Sequence, residues 1–189
     1  KPEVTAELDF STLGGKRVHY VPNTDLKQLR LDFTIRNNSD KFAVKPNEFI
    51  TYIIGSEMPG TPAYQLKALG LISKLNASSA PDLYGNYGSL SIDVELTDAG
   101  MQNREAIVAT VMQYIELVKR EGVNSKYFSE IQTSLNNRFR FLEKGDEFGY
   151  VSNLTDAMQK VPAVHAVDAP FFYQKFDAAA IKDVLAQLT

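Results

Sequence analysis

Two short runs of strict alternation constrain this chain more than any other feature. Leu29, Leu31, Phe33 and Ile35 alternate with Arg30, Asp32, Thr34 and Arg36, and Leu90, Ile92, Val94 and Leu96 repeat the pattern. A period of two puts apolar side chains on one face of a strand and polar ones on the other, so each run belongs in a sheet with one face covered. Elsewhere the apolar residues mostly fall three and four apart, the spacing of helices. The expected fold is α+β: a layered sheet of amphipathic, largely antiparallel strands, covered on one face by helices. At 189 residues and 44% hydrophobic, the chain can bury a sizeable core as one domain over 1–189.

The punctuation between these elements is clear. A shorter strand is expected at 17–21, ended by Pro22 and the turn formers Asn23, Thr24 and Asp25. Pro46 suits the first turn of a helix with the stripe Phe49, Ile50, Ile53 and Ile54, stopped at Gly55 or at the Met58, Pro59, Gly60 elbow. Thr61 can cap a second helix with Pro62 at its first position, Leu66 and Leu69 facing inward and Gly70 ending it. Thr97 or Asp98 begins a long helix, with Ile107, Val111, Tyr114, Ile115 and Val118 on one side, which Gly122 closes. Asn124 or Ser125 caps another, bearing Phe128, Ile131, Leu135, Phe139 and Leu142. A polar stretch at 145–149 precedes a helix with Val151, Leu154 and Met158, and a last stripe is Ile181, Val184, Leu185 and Leu188. The chain opens on Lys1 and stops at Thr189 directly after that stripe, which reads as an excised domain or a proteolytic fragment.

Composition excludes several classes of partner. Twenty basic against 23 acidic residues give a net charge of -3, without a Lys/Arg run to track phosphates, which argues against nucleic acid. No apolar run approaches the roughly 20 residues of a membrane span, and residues 1–10 lack the layout of a signal peptide, so no membrane partner is expected. The absence of cysteine removes disulfides and thiolate metal sites.

The helix–elbow–helix block at 47–79, NEFITYIIGSEMPGTPAYQLKALGLISKLNASS, and the block at 88–123, GSLSIDVELTDAGMQNREAIVATVMQYIELVKREGV, resemble the pitrilysin/insulysin family of zinc metallopeptidases, the inverzincins, and most closely its bacterial pitrilysin branch. The weaker Phe139-Arg140-Phe141 and Val161-Pro162 regions extend the resemblance along most of the chain. It implies a metallohydrolase-like domain of the pitrilysin/processing-peptidase type: the second, non-catalytic domain of the N-terminal half of a larger multidomain peptidase. It also implies a periplasmic parent, Zn2+ in that full-length parent, and the peptidase's other domains and its peptide substrates as partners.

The zinc itself is not expected in this fragment. The family uses His-x-x-Glu-His on a helix plus a distant Glu, two imidazoles and a carboxylate holding the metal while another Glu activates its water. Here the only histidines are His19, on the expected strand, and His165, in a loop after Pro162, far apart in sequence. No GxSxG elbow, P-loop or Gly-rich dinucleotide loop occurs, so no catalysis is expected from the chain alone.

Binding remains. An extended peptide can add to an exposed sheet edge through main-chain hydrogen bonds with little demand on side-chain identity, as a protease acting on varied peptides requires. Leu75, Asn76, Ala77, Ser78 and Ser79 suit such an edge: small side chains, an available backbone and no proline until Pro81. If the elbow folds back, Glu57 could pair with a peptide's terminal ammonium. In the insulysin branch an exosite in the second domain anchors the substrate's N-terminal end through a helix-end Gly-x-Glu and a Gly-rich strand. By motif, the resemblance implies that role for Tyr52, Gly55 and Glu57 and for the segment 75–79. Tyr52 and Ser56 stand where insulysin has histidine, and Asn76-Ala77-Ser78 where it has Val-Gly-Gly. Plainer readings stand beside these. Gly55, Pro59 and Gly60 serve a bend, Glu57 is a solvated carboxylate and Tyr52 is core. Phe139, Phe141, Phe148 and Tyr150 pack between helices, with Arg138 and Arg140 on a solvated face. A purely structural chamber-wall role and an independent small peptide-binding module are the alternatives to peptide anchoring.

Overall fold

The computed structural model describes residues 9, 12, 14–143 and 145–189. Three strands, β1 (Gln28–Arg36), β2 (Ile72–Ala80) and β3 (Tyr87–Leu96), form an antiparallel sheet in the order β1-β3-β2. The alternation sets its register. Leu31 lies opposite Ile92 and Phe33 opposite Leu90, and across the other seam Leu75 lies opposite Val94, so one face of the sheet is continuously apolar. Seven α-helices are described: α1 (Pro46–Gly55), α2 (Pro62–Ala68), α3 (Asp98–Gln102), α4 (Arg104–Glu121), α5 (Lys126–Arg140), α6 (Glu147–Lys160) and α7 (Ala178–Ala186).

Helices α1 and α2 lie against β2, and α7 packs against both α1 and α4. Phe49, Ile50 and Ile54 of α1 meet Ile92 and Val94 of the sheet, Ile107, Val111 and Ile115 of α4, and Ile181 and Leu185 of α7 in one hydrophobic cluster, all essentially without solvent contact. Local chemistry sets the helix ends. The Thr61 hydroxyl accepts from the Tyr64 amide, with Pro62 in the first turn of α2, and Gly70 takes the left-handed φ of +67° that turns the chain into β2. The Thr97 hydroxyl accepts from the Gly100 amide and donates to the carbonyls of Gly70 and Leu71, tying the β3–α3 corner to the α2–β2 corner.

Five expectations from the sequence change. Residues 17–21 form no strand and join no ladder. Val18 and Val21 are 83% and 93% exposed, and a strand preference without cross-strand packing gives nothing to hold it. The helix expected from Thr97 onward breaks at Asn103 into α3 and α4. Gly100 sits so close to the Leu71 carbonyl that this first turn is held to the corner while α4 aims at the core. Leu69 is exposed rather than inward, because α2 ends at Ala68 and Leu69 lies beyond the surface that Leu66 covers. On α5 only Ile131 and Leu135 of the expected stripe are buried, with Phe128 partly so, and on α6 no residue is buried. Phe141, Phe148 and Tyr150 are exposed rather than packed between helices, and Phe139, also exposed, reaches only Phe171, ring centroids 5.5 Å apart. Arg138 and Arg140 do lie on an exposed face, Arg138 over the Phe171 ring and Arg140 over that of Phe141.

Candidate peptide-binding edge

β2 is an edge strand, and the hydrogen-bond parity of the sheet determines which of its backbone groups face outward. The Leu96 amide donates to the Lys27 carbonyl at 2.8 Å, which makes Lys27 and Leu96 a hydrogen-bonded antiparallel pair. Alternation along β3 then commits Leu90, Ile92 and Val94 to β1, and Ser89, Ser91, Asp93 and Glu95 to β2. Within β2 the inward-bonded residues are therefore Lys74, Asn76, Ser78 and Ala80. The N–H and C=O groups of Leu75, Ala77 and Ser79 point away from the sheet, where no further strand lies among the described residues. The expected segment 75–79 thus offers three residues with outward backbone groups.

The side chains of the same segment divide by face. Leu75 is buried in the core, Ala77 and Ser79 lie partly covered beneath the helices, and Asn76 and Ser78 are exposed on the opposite face. Gly55 ends α1 directly above this edge. A Cβ there would stand 3.5 Å from the Ala77 nitrogen and 3.8 Å from the Ala77 Cβ. Gly55 is not among the residues with positive φ, so its own backbone does not require glycine, whereas Gly60 in the elbow does, with φ +92°. The bend reading therefore fits Gly60, and what glycine provides at position 55 is clearance over an outward-facing amide.

The other candidate residues already have partners. Glu57 accepts from Lys67 Nζ at 2.5 Å, both side chains being part exposed, so its carboxylate is paired. The Tyr52 hydroxyl donates to Glu130 of α5 at 2.7 Å and its ring lies beside Tyr127, a hydrogen bond that, with burial, pushes the phenol up to about 12. Tyr52 is thereby turned toward α5. Ser79 Oγ donates to the Ser89 carbonyl and accepts from Asn47 Nδ2.

Asn47 was not singled out by sequence reasoning. It is one of the few buried polar side chains, accepting from Asn38 Nδ2 and donating to Ser79, and so fixes the start of α1 to the edge strand. The signal was present: Asn47, Ile50 and Ile54 share one helical face, and a polar residue on an apolar stripe asks for a partner. His19 lies in the 17–21 segment near Glu105, and His165 Nδ1 lies 3.0 Å from Asp168 with its ring against Phe172. Among the described residues no group of three or more His, Cys, Asp or Glu is placed to hold a metal. The donors present therefore do not fit a zinc site.

Comparison with known proteins decides the relationship. Residues 3–135 match the family description "Peptidase M16 inactive domain", and residues 139–189 match "Middle or third domain of peptidase_M16". The chain belongs to the peptidase M16 family. It is 39% identical over all 189 residues to Protease 3 of Escherichia coli K12, covering 20% of that protein, and 30% identical over 174 residues to the insulin-degrading enzyme of Drosophila melanogaster, covering 92% of this chain and 18% of the relative. It thus spans about a fifth of the length of such relatives. A crystal structure of pitrilysin matches with a TM-score of 0.86 and 40% identity over 90% of this chain and 18% of that one, in agreement with the α+β fold and with the resemblance in the 47–79 and 88–123 blocks. The two M16 matches meet within α5, between Leu135 and Phe139, yet α7, which lies in the second, contributes Ile181, Val184, Leu185 and Leu188 to the same core as the sheet. No helix among the described residues is long and apolar enough to cross a membrane.

Proposed function

We propose that this chain serves, within a periplasmic pitrilysin-like zinc metalloendopeptidase, as one wall of the substrate chamber and as an anchor for the N-terminal end of an extended peptide, with 1–189 acting as a single non-catalytic domain. The observation that carries the reading is the set of outward N–H and C=O groups on Leu75, Ala77 and Ser79, left clear by Gly55. Such an edge adds a guest strand whatever its side chains. Zinc and the cleavage step belong to the rest of the peptidase, because His19 and His165 supply no ligand set.

The test is peptide binding to the chain, followed by fluorescence anisotropy. Ala77→Pro removes an outward N–H and costs the sheet no ladder bond, so binding should fall at least tenfold while the fold persists. Gly55→Ala should fold normally yet bind more weakly, its methyl group standing against the Ala77 amide. Acetylating the peptide or introducing Glu57→Ala should each cost a few-fold. Unchanged affinity in all four cases would sink the anchor. A chamber-wall role alone is the second reading, favoured by the exposed Phe148, Val151 and Met158 on α6.

A further inference from the structure

The Glu57–Lys67 pair alters what the elbow can recognise. Glu57 follows Gly55 by two residues, and Lys67 stands in the last turn of α2, which like α1 packs on β2. Their Oε1 and Nζ are 2.5 Å apart, with Glu57 57% and Lys67 33% exposed at the side chain. The elbow that follows α1 therefore presents a neutral couple and not a lone carboxylate. A peptide ammonium arriving alone at Glu57 Oε2 would bring a second cation beside the Lys67 ammonium already held at Oε1, so part of its attraction to the carboxylate is cancelled. A chain end that also carries a carboxylate can pair with both members at once.

We infer that the elbow selects extended peptides whose free N-terminus begins with Asp or Glu, the α-ammonium going to Glu57 and the first side chain to Lys67. This rests on the strand-addition reading above and names the substrate class of that site. Both contacts are solvent-accessible charge-assisted hydrogen bonds, so the preference is modest and screened by salt. A first-residue lysine is disfavoured, since it brings a second cation toward Lys67.

The experiment uses one peptide body with Glu, Ala or Lys in the first position, each free and N-acetylated, titrated against the chain at low and high salt. Expected is Glu-first over Ala-first by about fivefold, Ala-first over Lys-first, and a compressed series in high salt. In Lys67→Met the advantage of Glu should vanish and Lys-first should rise to match Ala-first, with Lys67→Gln as a second variant should methionine disturb α2. Equal affinity for the three first residues, or the wild-type order persisting in both variants, overturns the inference. If affinity falls on acetylation and in Ala77→Pro but ignores the first residue, selection alone is wrong. If it ignores acetylation and Ala77→Pro as well, strand addition is wrong and the inference goes with it.

Discussion

The sheet with α1, α4 and α7 and the arm formed by the end of α5 with α6 carry similar apolar stripes and use them differently. On the sheet side the stripes close on one another: Phe49, Ile50, Ile92, Ile107, Val111, Ile115 and Ile181 are all fully buried. On α6 the stripe of Val151, Leu154 and Met158 has no buried member, and Phe148 beside it is 84% exposed. The arm is held by polar and marginal contacts, Lys160 to Asp82 at 2.7 Å and Phe139 beside Phe171. Amphipathic spacing specifies a face, and only tertiary context supplies its partner.

Paired truncations test that contrast most strongly. Phe49→Ala should lower the unfolding free energy by about 4 kcal/mol, the cost of an aromatic cavity in a closed core, while Phe148→Ser should stay within about 0.5 kcal/mol. Urea denaturation followed by circular dichroism reads both. Comparable losses would mean that α6 is packed after all.

Next in size is Gly100→Ala. The new Cβ would fall on the Leu71 carbonyl oxygen, a backbone atom that cannot rotate away, so the corner joining α2–β2 to β3–α3 must open. A loss of about 3 kcal/mol in the same denaturation assay is expected. The control is Gly145→Ala in the arm, where an added Cβ meets nothing within 4 Å and should be nearly silent.

Within the sheet side, the parity of β2 predicts an asymmetry between neighbours. Asn76→Pro deletes a bond to β3 and should cost about 2 kcal/mol, whereas Ala77→Pro deletes only an outward N–H and should cost clearly less. Thermal unfolding of the two variants gives the ranking. The reverse order would place the inward bonds on Leu75, Ala77 and Ser79 and leave Gly55 clearing nothing.

Much of this was legible because the responsible chemistry is local. Alternation in β1 and β3, Pro46 and Pro62 in first turns, the Thr61 cap and the Gly70 stop each act within a few residues of themselves. What was not legible depends on distant partners. Residues 17–21 have strand composition without a neighbouring strand, and the α3–α4 break follows from a carbonyl about thirty positions earlier in the chain. In the candidate site, the edge at 75–79 could be read from its small side chains, and the distances tie it to Gly55. The Lys67 partner of Glu57, the Glu130 partner of Tyr52 and the Asn47–Ser79 bond could not be, because each joins elements whose relative placement is set by the core.

Tyr173 sharpens the boundary between the two regions, since it marks how far α5 belongs to the core. Its ring meets Phe128 edge-on at 4.7 Å and its carbonyl accepts from Gln132, but its buried hydroxyl has no hydrogen-bond partner among the described residues. Burial first, then the charge of Glu48, pushes the phenol up to about 12. Below pH 10 the folded and unfolded chains both keep the proton, and the contribution is fully present. As pH rises from about 10 to about 12 the unfolded chain gives up its proton first, so stability falls through that window. Tyr52, raised to about 12 chiefly by its bond to Glu130, adds to the same decline. Tyr173→Phe removes an unpaired hydroxyl and keeps the ring, so at pH 7 it should be neutral or stabilising by up to about 1 kcal/mol, with a shallower loss between pH 10 and 11. Urea unfolding at both pH values measures this. A destabilisation beyond about 1 kcal/mol at pH 7 would show that the hydroxyl has a partner, and that the α5 junction is held by a polar contact and not by packing alone.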